Sequence, residues 1–224
     1  YQGVQFGYTS AGRYTSWNDI WSYPGYKERD ILPGDYKYED WNGDGEINGQ
    51  DEHPFAFDQT PWLQFSLNAG LQWKNLDFNM LLQGSALGSM EYKEPLHEIW
   101  GKNGGGALTQ FLDRWHPVDP KADPYDPSTV WTSGHYAYTG RWAKNNSAFN
   151  RVSTAYLRLK SIELGYTFPK LKQIPNASLR IYANAYNLLT FTGVKFVDPE
   201  HPDDDLGRMY PLNKTYTLGV SLSF

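Results

Sequence analysis

The chain has 224 residues, a formal net charge of −5 and no cysteine. The lack of cysteine excludes disulfides, thiol catalysis and cysteine-ligated metals, and the negative charge without a basic stripe argues against nucleic acid as a partner. No run of ~18 apolar residues is present, which excludes a transmembrane helix but not membrane-spanning strands, because these are only half apolar. The 21 glycines, 14 prolines and 17% aromatic content favour a β-rich chain with large loops.

The first segment, residues 1–60, is long and rich in glycine, aspartate and aromatic residues. It begins at Tyr1, with neither an initiator methionine nor a basic and apolar signal region. We therefore expect the chain to continue a longer polypeptide that extends upstream.

Residues 40–51 match the spacing of a calcium-binding loop. Gly45 occupies the sharp turn at the sixth position, and a shorter aspartate replaces the usual bidentate glutamate at the twelfth. The pattern predicts one structural Ca²⁺, while a metal-free turn stabilised by Asx and glycine residues is the alternative. The predicted ligands are Asp40, Asn42, Asp44, Glu46, Asn48 and Asp51.

Residues 61–85 alternate apolar and polar side chains on both sides of Lys74 and Asn75. Such a period of two predicts a β-hairpin with one apolar and one polar face. No charge interrupts the apolar face. This matters because Arg or Lys facing lipid at mid-membrane costs about 2–4 kcal/mol.

The long segment 86–153 contains a group of aromatic residues that lie outside the predicted strands. Aromatic faces stack on sugar rings and anchor protein interfaces, so we consider this segment a ligand or partner platform. A small local core that gives the segment its shape is an equally good interpretation. The candidate contact residues are Trp100, Trp115, Trp131, Tyr136 and Trp142.

No catalytic or further metal site is predicted. The five histidines lack metal-ligand spacing, and the glycine-rich stretch 101–106 lacks the Lys-Ser/Thr pair of a phosphate-binding loop. The acidic run 203–205 reads as a solvated loop face.

Residues 154–191 form a second alternating hairpin, with its turn between Pro169 and Asn176. Leu157 and Leu159 are odd-numbered, whereas the apolar residues from Ile162 onward are even-numbered. This slip predicts either a β-bulge near Lys160 and Ser161 or the exit of the strand from the membrane at that point. The segment 192–213 is a further long connection.

Residues 214–224 read as a terminal strand with alternating apolar side chains that ends on Phe224. The final aromatic residue is typical of the terminal strand by which outer-membrane barrels are recognised, so we predict that Phe224 is an assembly signal. Short turns and long connections also alternate, as in outer-membrane barrels. We expect the two turns to be periplasmic and segments 1–60, 86–153 and 192–213 to be extracellular.

Four separated motifs resemble the carboxy-terminal part of SusC/RagA-like TonB-dependent transporters. They are residues 34–47 (GDYKYEDWNGDGEI), 156–169 (YLRLKSIELGYTFP), 187–190 (NLLT) and 215–219 (TYTLG). Their order agrees with a single topology of antiparallel strands, whereas segment 86–153 carries no recognisable signature.

The resemblance implies an all-β fold: the carboxy-terminal section of an outer-membrane barrel of about 22 strands, with extracellular loops and an amino-terminal plug. It further implies TonB as energy source, a SusD-like surface lipoprotein as lid, and glycans or peptides as ligands. This chain would supply about five strands, with the end of a sixth near residues 1–8, and would need the rest of the barrel to close.

Two other function classes remain open at this stage. One is a soluble extracellular β-sandwich that is stabilised by calcium and binds carbohydrate. The other is an enzyme such as a glycosidase, which needs two carboxylates about 5–9.5 Å apart across a cleft, yet no pair of acidic residues is singled out by the sequence.

Overall fold

The computed structural model describes residues 3–24, 31–93, 96–97, 107–139, 143, 146–169, 177–202 and 207–224. Within these ranges, none of the helices has both the length and the apolar character needed to cross a membrane. The strands are β1 Val4–Gly7, β2 Ser10–Arg13, β3 Tyr36–Tyr38, β4 His53–Phe57, β5 Leu63–Trp73, β6 Leu76–Ala86, β7 Ser89–Glu91, β8 His116–Pro117, β9 Trp131–Thr132, β10 Arg151–Ser153, β11 Tyr156–Phe168, β12 Ser178–Thr192 and β13 Thr215–Ser223.

The chain divides into two compact units. The sheet unit comprises Thr60–Gly88, Ser153–Pro202 and Met209–Phe224. The loop unit comprises Tyr1–Gln59, Ser89–Val152 and Asp203–Arg208. Two of the three segments predicted to be long connections, 1–60 and 86–153, therefore contribute most of a folded unit of their own.

The sheet unit contains one five-stranded sheet in the order β13-β12-β11-β6-β5. All neighbours are antiparallel. The strands are 9 to 15 residues long, which meets or exceeds the ~9–11 residues that a tilted strand needs to cross a bilayer. The predicted all-β antiparallel fold is confirmed, and β5 and β13 are the edges of the described sheet.

The hairpin of β5 and β6 forms where the alternation predicts it. Trp73 pairs with Leu76, so Lys74 and Asn75 alone connect the strands. Lys74 has a φ of 54°, the left-handed conformation that tight two-residue turns demand.

The predicted bulge in β11 is confirmed. Relative to β6, the register shifts between Leu159 and Ser161, so that Lys160 is the extra residue. Leu159 pairs with Leu82 and Ile162 pairs with Met80. Because residues 80 and 82 share one face of β6, the bulge returns the apolar residues on its two sides to the same face.

The bulge also explains the NLLT motif in β12. Asn187 and Leu188 fall between the residues that pair with Ser161 and Leu159. Asn187 adopts a φ of 52°, which Asn tolerates better than most residues. Its side-chain amide donates to the Asn213 carbonyl at 3.0 Å. The turn of this second hairpin is predicted from Pro169 to Asn176, and all of it after Pro169 lies outside the described residues.

The loop unit consists of short ribbons and a small aromatic core. β1 pairs with β4, β2 with β3, β8 with β9 and β7 with β10. Tyr8, Tyr38 and Ile47 form a buried cluster against which Tyr36 and Phe149 pack. The helix α1, Trp17–Ser22, begins at the N-cap residue Ser16.

The expectation of a sixth barrel strand near residues 1–8 needs correction. Val4–Gly7 is a strand, but it pairs with His53–Phe57 in a separate two-stranded sheet. Alternation alone could not reveal this, because it fixes which residues share a face and not which strand lies alongside.

Candidate functional site

The five-stranded sheet presents an apolar face that remains open. Leu67 is 57% exposed, Leu164 50% and Leu218 77%. By register, no charged side chain of the five described strands stands on this face. Its members are Leu63, Phe65, Leu67, Ala69, Leu71, Trp73, Leu76, Phe78, Met80, Leu82, Leu157, Leu159, Ile162, Leu164, Tyr166, Phe168, Leu179, Ile181, Ala183, Ala185, Leu189, Phe191, Tyr216, Leu218, Val220 and Leu222.

The opposite face is polar and carries an ionic cluster. Arg180 Nη2 lies 2.5 Å from Asp77 Oδ1 and 2.7 Å from Glu163 Oε1. The Arg180 Nε also donates to Asp77 Oδ2 at 3.1 Å. These residues stand on three adjacent strands, so one guanidinium bridges β12, β11 and β6. The side chains keep 24–28% exposure, as partly solvated groups would.

Two motif glycines make room for side chains on this polar face. A Cβ placed at Gly165 would lie 2.5 Å from Arg180 Nη2 and 2.6 Å from Asp77 Oδ2, so the ion pair passes over the bare backbone. A Cβ at Gly219 would lie 2.3 Å from Cζ of Tyr182, whose ring covers that glycine. Both glycines pair with Tyr182 across the sheet. The glycine in the LGYTF motif and the glycine in the TLG motif are thus explained by the space that neighbouring side chains need.

A second ionic cluster holds the start of the connection between β12 and β13. The Arg158 side chain is only 3% exposed, and its Nη2 donates to both Asp198 carboxylate oxygens at 2.8 and 2.9 Å. Its Nη1 is also 2.8 Å from Glu200 Oε1. Lys160 donates to the same glutamate at 2.8 Å. The bulge at Lys160 therefore lies beside a buried anchor for residues 198–200.

Sequence reasoning missed both ionic clusters. Asp77 and Arg180 are 103 positions apart, so local pattern could not pair them. The available signal was weaker: charged residues occur in these strands only at positions that alternation assigns to the polar face, apart from Lys160 in the bulge.

The predicted calcium ligands form a network of Asx turns. Asp40 accepts backbone N–H groups from Gly43 at 2.7 Å and Gly45 at 2.9 Å. Asp44 accepts a hydrogen bond from the Glu46 N–H at 2.8 Å and another from the Asn42 side-chain amide. These two hydrogen bonds keep the pKa of Asp44 below its ordinary value. The network brings the predicted residues into one loop.

Asp51 lies beneath this loop, fully buried. Its two oxygens accept N–H groups from Trp41 at 2.9 Å and Asn48 at 2.8 Å. Asn48 in turn accepts the N–H of Gln50 as a reciprocal cap of the 3₁₀ turn Gly49–Asp51. Among the described His, Cys, Asp and Glu side chains, no group of three is close enough to hold a metal. The Ca²⁺ site, which also uses Asn oxygens, stays a prediction.

The candidate aromatic residues of segment 86–153 pack against their own unit. Trp131 and Tyr138 form an edge-to-face pair at 5.3 Å, and Tyr136 forms one with Phe111 at 4.5 Å. Burial, with help from neighbouring tyrosines, raises the pKa of Tyr136 to about 12, so its hydroxyl stays protonated at neutral pH. Trp115 covers Gly34, where a Cβ would be 2.4 Å from the indole.

These contacts are those expected of a local core, and the ligand role of the same residues stays a prediction. Trp100 and Trp142 lie outside the described residues. Phe224 follows β13 and is 96% exposed. Its role as an assembly signal also stays a prediction.

No family model matches the chain. The chain is 28% identical over 211 residues to TonB-dependent receptor P3 of Formosa agariphila, covering 87% of this chain and 19% of the relative. It is 28% identical over 206 residues to TonB-dependent receptor P26 of the same bacterium, covering 85% of this chain and 20% of the relative. The chain thus spans about a fifth of the length of these curated relatives.

Solved structures give the same picture at the level of the fold. One structure of the RagAB peptide transporter superposes with a TM-score of 0.62 at 21% identity, covering 99% of this chain and 22% of that chain. The closed-closed state of the RagAB peptide importer gives 0.59 at 20% identity, with the same coverage. The resemblance predicted from the sequence is therefore confirmed: the chain is similar to TonB-dependent receptors over most of its length, and its fold matches part of the β-barrel of the RagAB structures.

Proposed function

We propose that this chain is a carboxy-terminal section of the barrel wall of a TonB-dependent outer-membrane importer. The observation that carries the proposal is the sheet with one open, charge-free apolar face and one polar face with ionic clusters. Such a surface is stable when lipid covers the first face and a water-filled interior covers the second. The names of the relatives support the same conclusion.

The main alternative is a soluble β-sandwich. A sandwich buries the apolar faces of two sheets against each other. In the part of the chain that the structure describes, Leu218 and Leu71 remain 77% and 64% exposed, so no second sheet covers this face. The structure thus favours lipid over a protein layer as the neighbour.

Adjacent positions in β5 give a sharp test. Leu67 stands near the middle of the apolar face, and Asn68 is its neighbour on the polar face. Leu67→Arg in the full-length protein should lower the amount of protein in the outer membrane and the intensity of its heat-modifiable band. The reason is that a charged side chain facing lipid at mid-membrane costs about 2–4 kcal/mol. Leu164→Arg on β11 should do the same, whereas Asn68→Arg should assemble normally. Equal assembly of the three variants would refute the proposal.

The orientation is part of the same proposal. With the turn at Lys74 and Asn75 in the periplasm, segments 1–60, 86–153 and 192–213 are extracellular. A cysteine placed at Lys121, which is exposed in the loop unit, should react with an impermeant maleimide on intact cells. A cysteine at Lys74 should react only after the outer membrane is opened. The reverse pattern would overturn this orientation.

We further propose that the importer takes up glycans or peptides, with a plug and TonB for energy coupling and a SusD-like surface lipoprotein as lid. The likeness of the fold to the RagAB peptide importer supports the peptide choice. A tagged full-length protein should co-purify with a surface lipoprotein, and labelled peptides or oligosaccharides should identify the ligand by TonB-dependent uptake. Uptake of neither class would refute the ligand assignment.

A further inference from the structure

The loop unit contains a pocket formed by one continuous stretch of chain. It has a volume of about 620 Å³, which is in the range of small-molecule sites. The 3₁₀ turn Thr109–Leu112 forms one wall and the β8 residues His116 and Pro117 form another. The principal lining residues are Leu108, Phe111, Leu112, Arg114, Pro117 and Tyr138.

Contacts within the same segment hold the side chains that line this pocket. Tyr138 makes an edge-to-face contact at 5.3 Å with Trp131, which does not line the pocket. Phe111 is buried and rests on Tyr136 at 4.5 Å. Nδ1 of His116 donates to the Pro117 carbonyl at 2.9 Å. The pocket is therefore preorganised by its own segment, which lowers the ordering cost of binding.

Arg114 is the only Arg or Lys among the described lining residues. Its guanidinium lies 5.8 Å from the ring centre of Tyr138. The ion pairs between described residues are formed by Lys37, Arg151, Arg158, Lys160 and Arg180. Among the described residues, no carboxylate therefore forms an ion pair with Arg114. Arg is the side chain best suited to bind a carboxylate through two parallel hydrogen bonds.

Apolar side chains at the pocket are exposed beside the Arg114 guanidinium. Leu112 is 83% exposed and Leu108 is 41% exposed. A ligand that covers them removes apolar surface from water, which favours binding. A ligand that suits both features carries a carboxylate next to a bulky apolar group.

We propose that this pocket binds such an apolar carboxylate, with Arg114 pairing the carboxylate and Leu108, Leu112 and Tyr138 covering the apolar group. Either a free aryl or aliphatic acid or the carboxy-terminal residue of a peptide offers this chemistry. The proposal concerns binding alone and does not require transport, so it can fail while the barrel assignment holds, and the reverse is also true.

The test uses purified full-length protein and two probes, 3-phenylpropionate and acetyl-Ala-Ala-Phe with a free carboxyl end. Isothermal titration should give saturable binding with a dissociation constant on the order of 10⁻⁴ M for at least one probe. The corresponding amides, which keep the apolar group and lose the charge, should bind at least about tenfold more weakly. Comparison of the two acids tells a free acid from a peptide end.

Matched variants assign the effect to the pocket. Arg114→Gln should weaken acid binding at least about tenfold, whereas Lys121→Gln, which removes the same charge from an exposed position outside the pocket lining, should not. Leu112→Ser should weaken binding of both acids without unfolding, because this side chain packs little in the free protein. Absence of saturable binding, equal affinity for acids and amides, or equal effects of Arg114→Gln and Lys121→Gln would overturn the proposal.

Discussion

The buried cluster around Arg158 makes a quantitative prediction about the segment that follows β12. Arg158→Met removes a guanidinium that is 3% exposed and that contacts two carboxylates. Methionine keeps the apolar stem and introduces no new polar group. The charges left behind are those of Asp198, which is 11% exposed, and Glu200, which is 17% exposed.

The size of the destabilisation depends on which of the two carboxylates keeps a cationic partner after the substitution. Breaking a buried ion pair by removing one partner costs about 3–5 kcal/mol, because the remaining charge stays desolvated. Glu200 keeps Lys160 at 2.8 Å, whereas Asp198 loses both of its bonds from a cation. Lys160→Met is the matched control. Its side chain is 28% exposed and the pair it forms contributes about 0–1 kcal/mol.

Amide hydrogen exchange on the detergent-solubilised protein measures this difference locally. The Glu200 N–H donates to Asp198 Oδ1 at 2.9 Å, and the His201 N–H donates to the Asp198 carbonyl at 3.0 Å. If the segment opens independently of the sheet, a loss of 3 kcal/mol speeds exchange at these amides by about 100-fold or more. Lys160→Met should change the same rates by less than about fivefold.

Similar exchange in the two variants would refute the reasoning, because it would mean that burial does not distinguish the two cations. A second comparison guards against a general loss of structure. The double variant Arg158→Met with Asp198→Leu should recover part of the protection at His201, since no unpaired buried carboxylate then remains at that position. Exchange in β5, which is remote in the sheet order, should be unchanged in all variants.

The remaining predictions concern the turn network and the motif glycines. Asp44→Ala should speed proteolysis of residues 34–60 without affecting barrel assembly. If the loop binds Ca²⁺, a tenfold excess of Ca²⁺ over the dissociation constant should stabilise the wild-type loop by about 1.4 kcal/mol and the variant loop much less. An equal response of both proteins to Ca²⁺ would count against the metal site. Hydrogen bonds that Asp44 accepts from the Glu46 N–H and from the Asn42 side-chain amide lower its folded pKa. Its stabilising contribution is therefore complete above the ordinary pKa of 3.8 and disappears as the pH falls through the lower folded value. Proteolysis of the same segment in wild type should therefore accelerate below about pH 4, and a rate independent of pH down to 2 would contradict this. Gly219→Ala should destabilise the β12–β13 pair by about 1–3 kcal/mol, because the new Cβ would meet the Tyr182 ring at 2.3 Å. The control Ser221→Ala, on the same face of β13, should assemble and melt like wild type. A heat-modifiability series on both variants measures the difference.

The sequence by itself determined which residues share a face of the sheet. Side-chain direction in a strand alternates with period two, so Leu67 and Asn68 had to point to opposite sides whatever strand lay beside them. The bulge at Lys160 could be predicted for the same reason, as one of two explanations for the slip in parity, and the register in the sheet decided between them. The family resemblance rested on motifs whose glycines and asparagine meet local steric demands.

The tertiary structure decided everything that depends on strand neighbours and on distant segments. The order β12-β11-β6 brings Arg180 to Asp77, although many strands could satisfy the same alternation. Likewise, the pairing of Val4–Gly7 with His53–Phe57 and the pocket at Arg114 arise from packing within the loop unit. Periodicity is a property of a few successive residues, whereas pairing, burial and charge neutralisation are set by which segments meet in space.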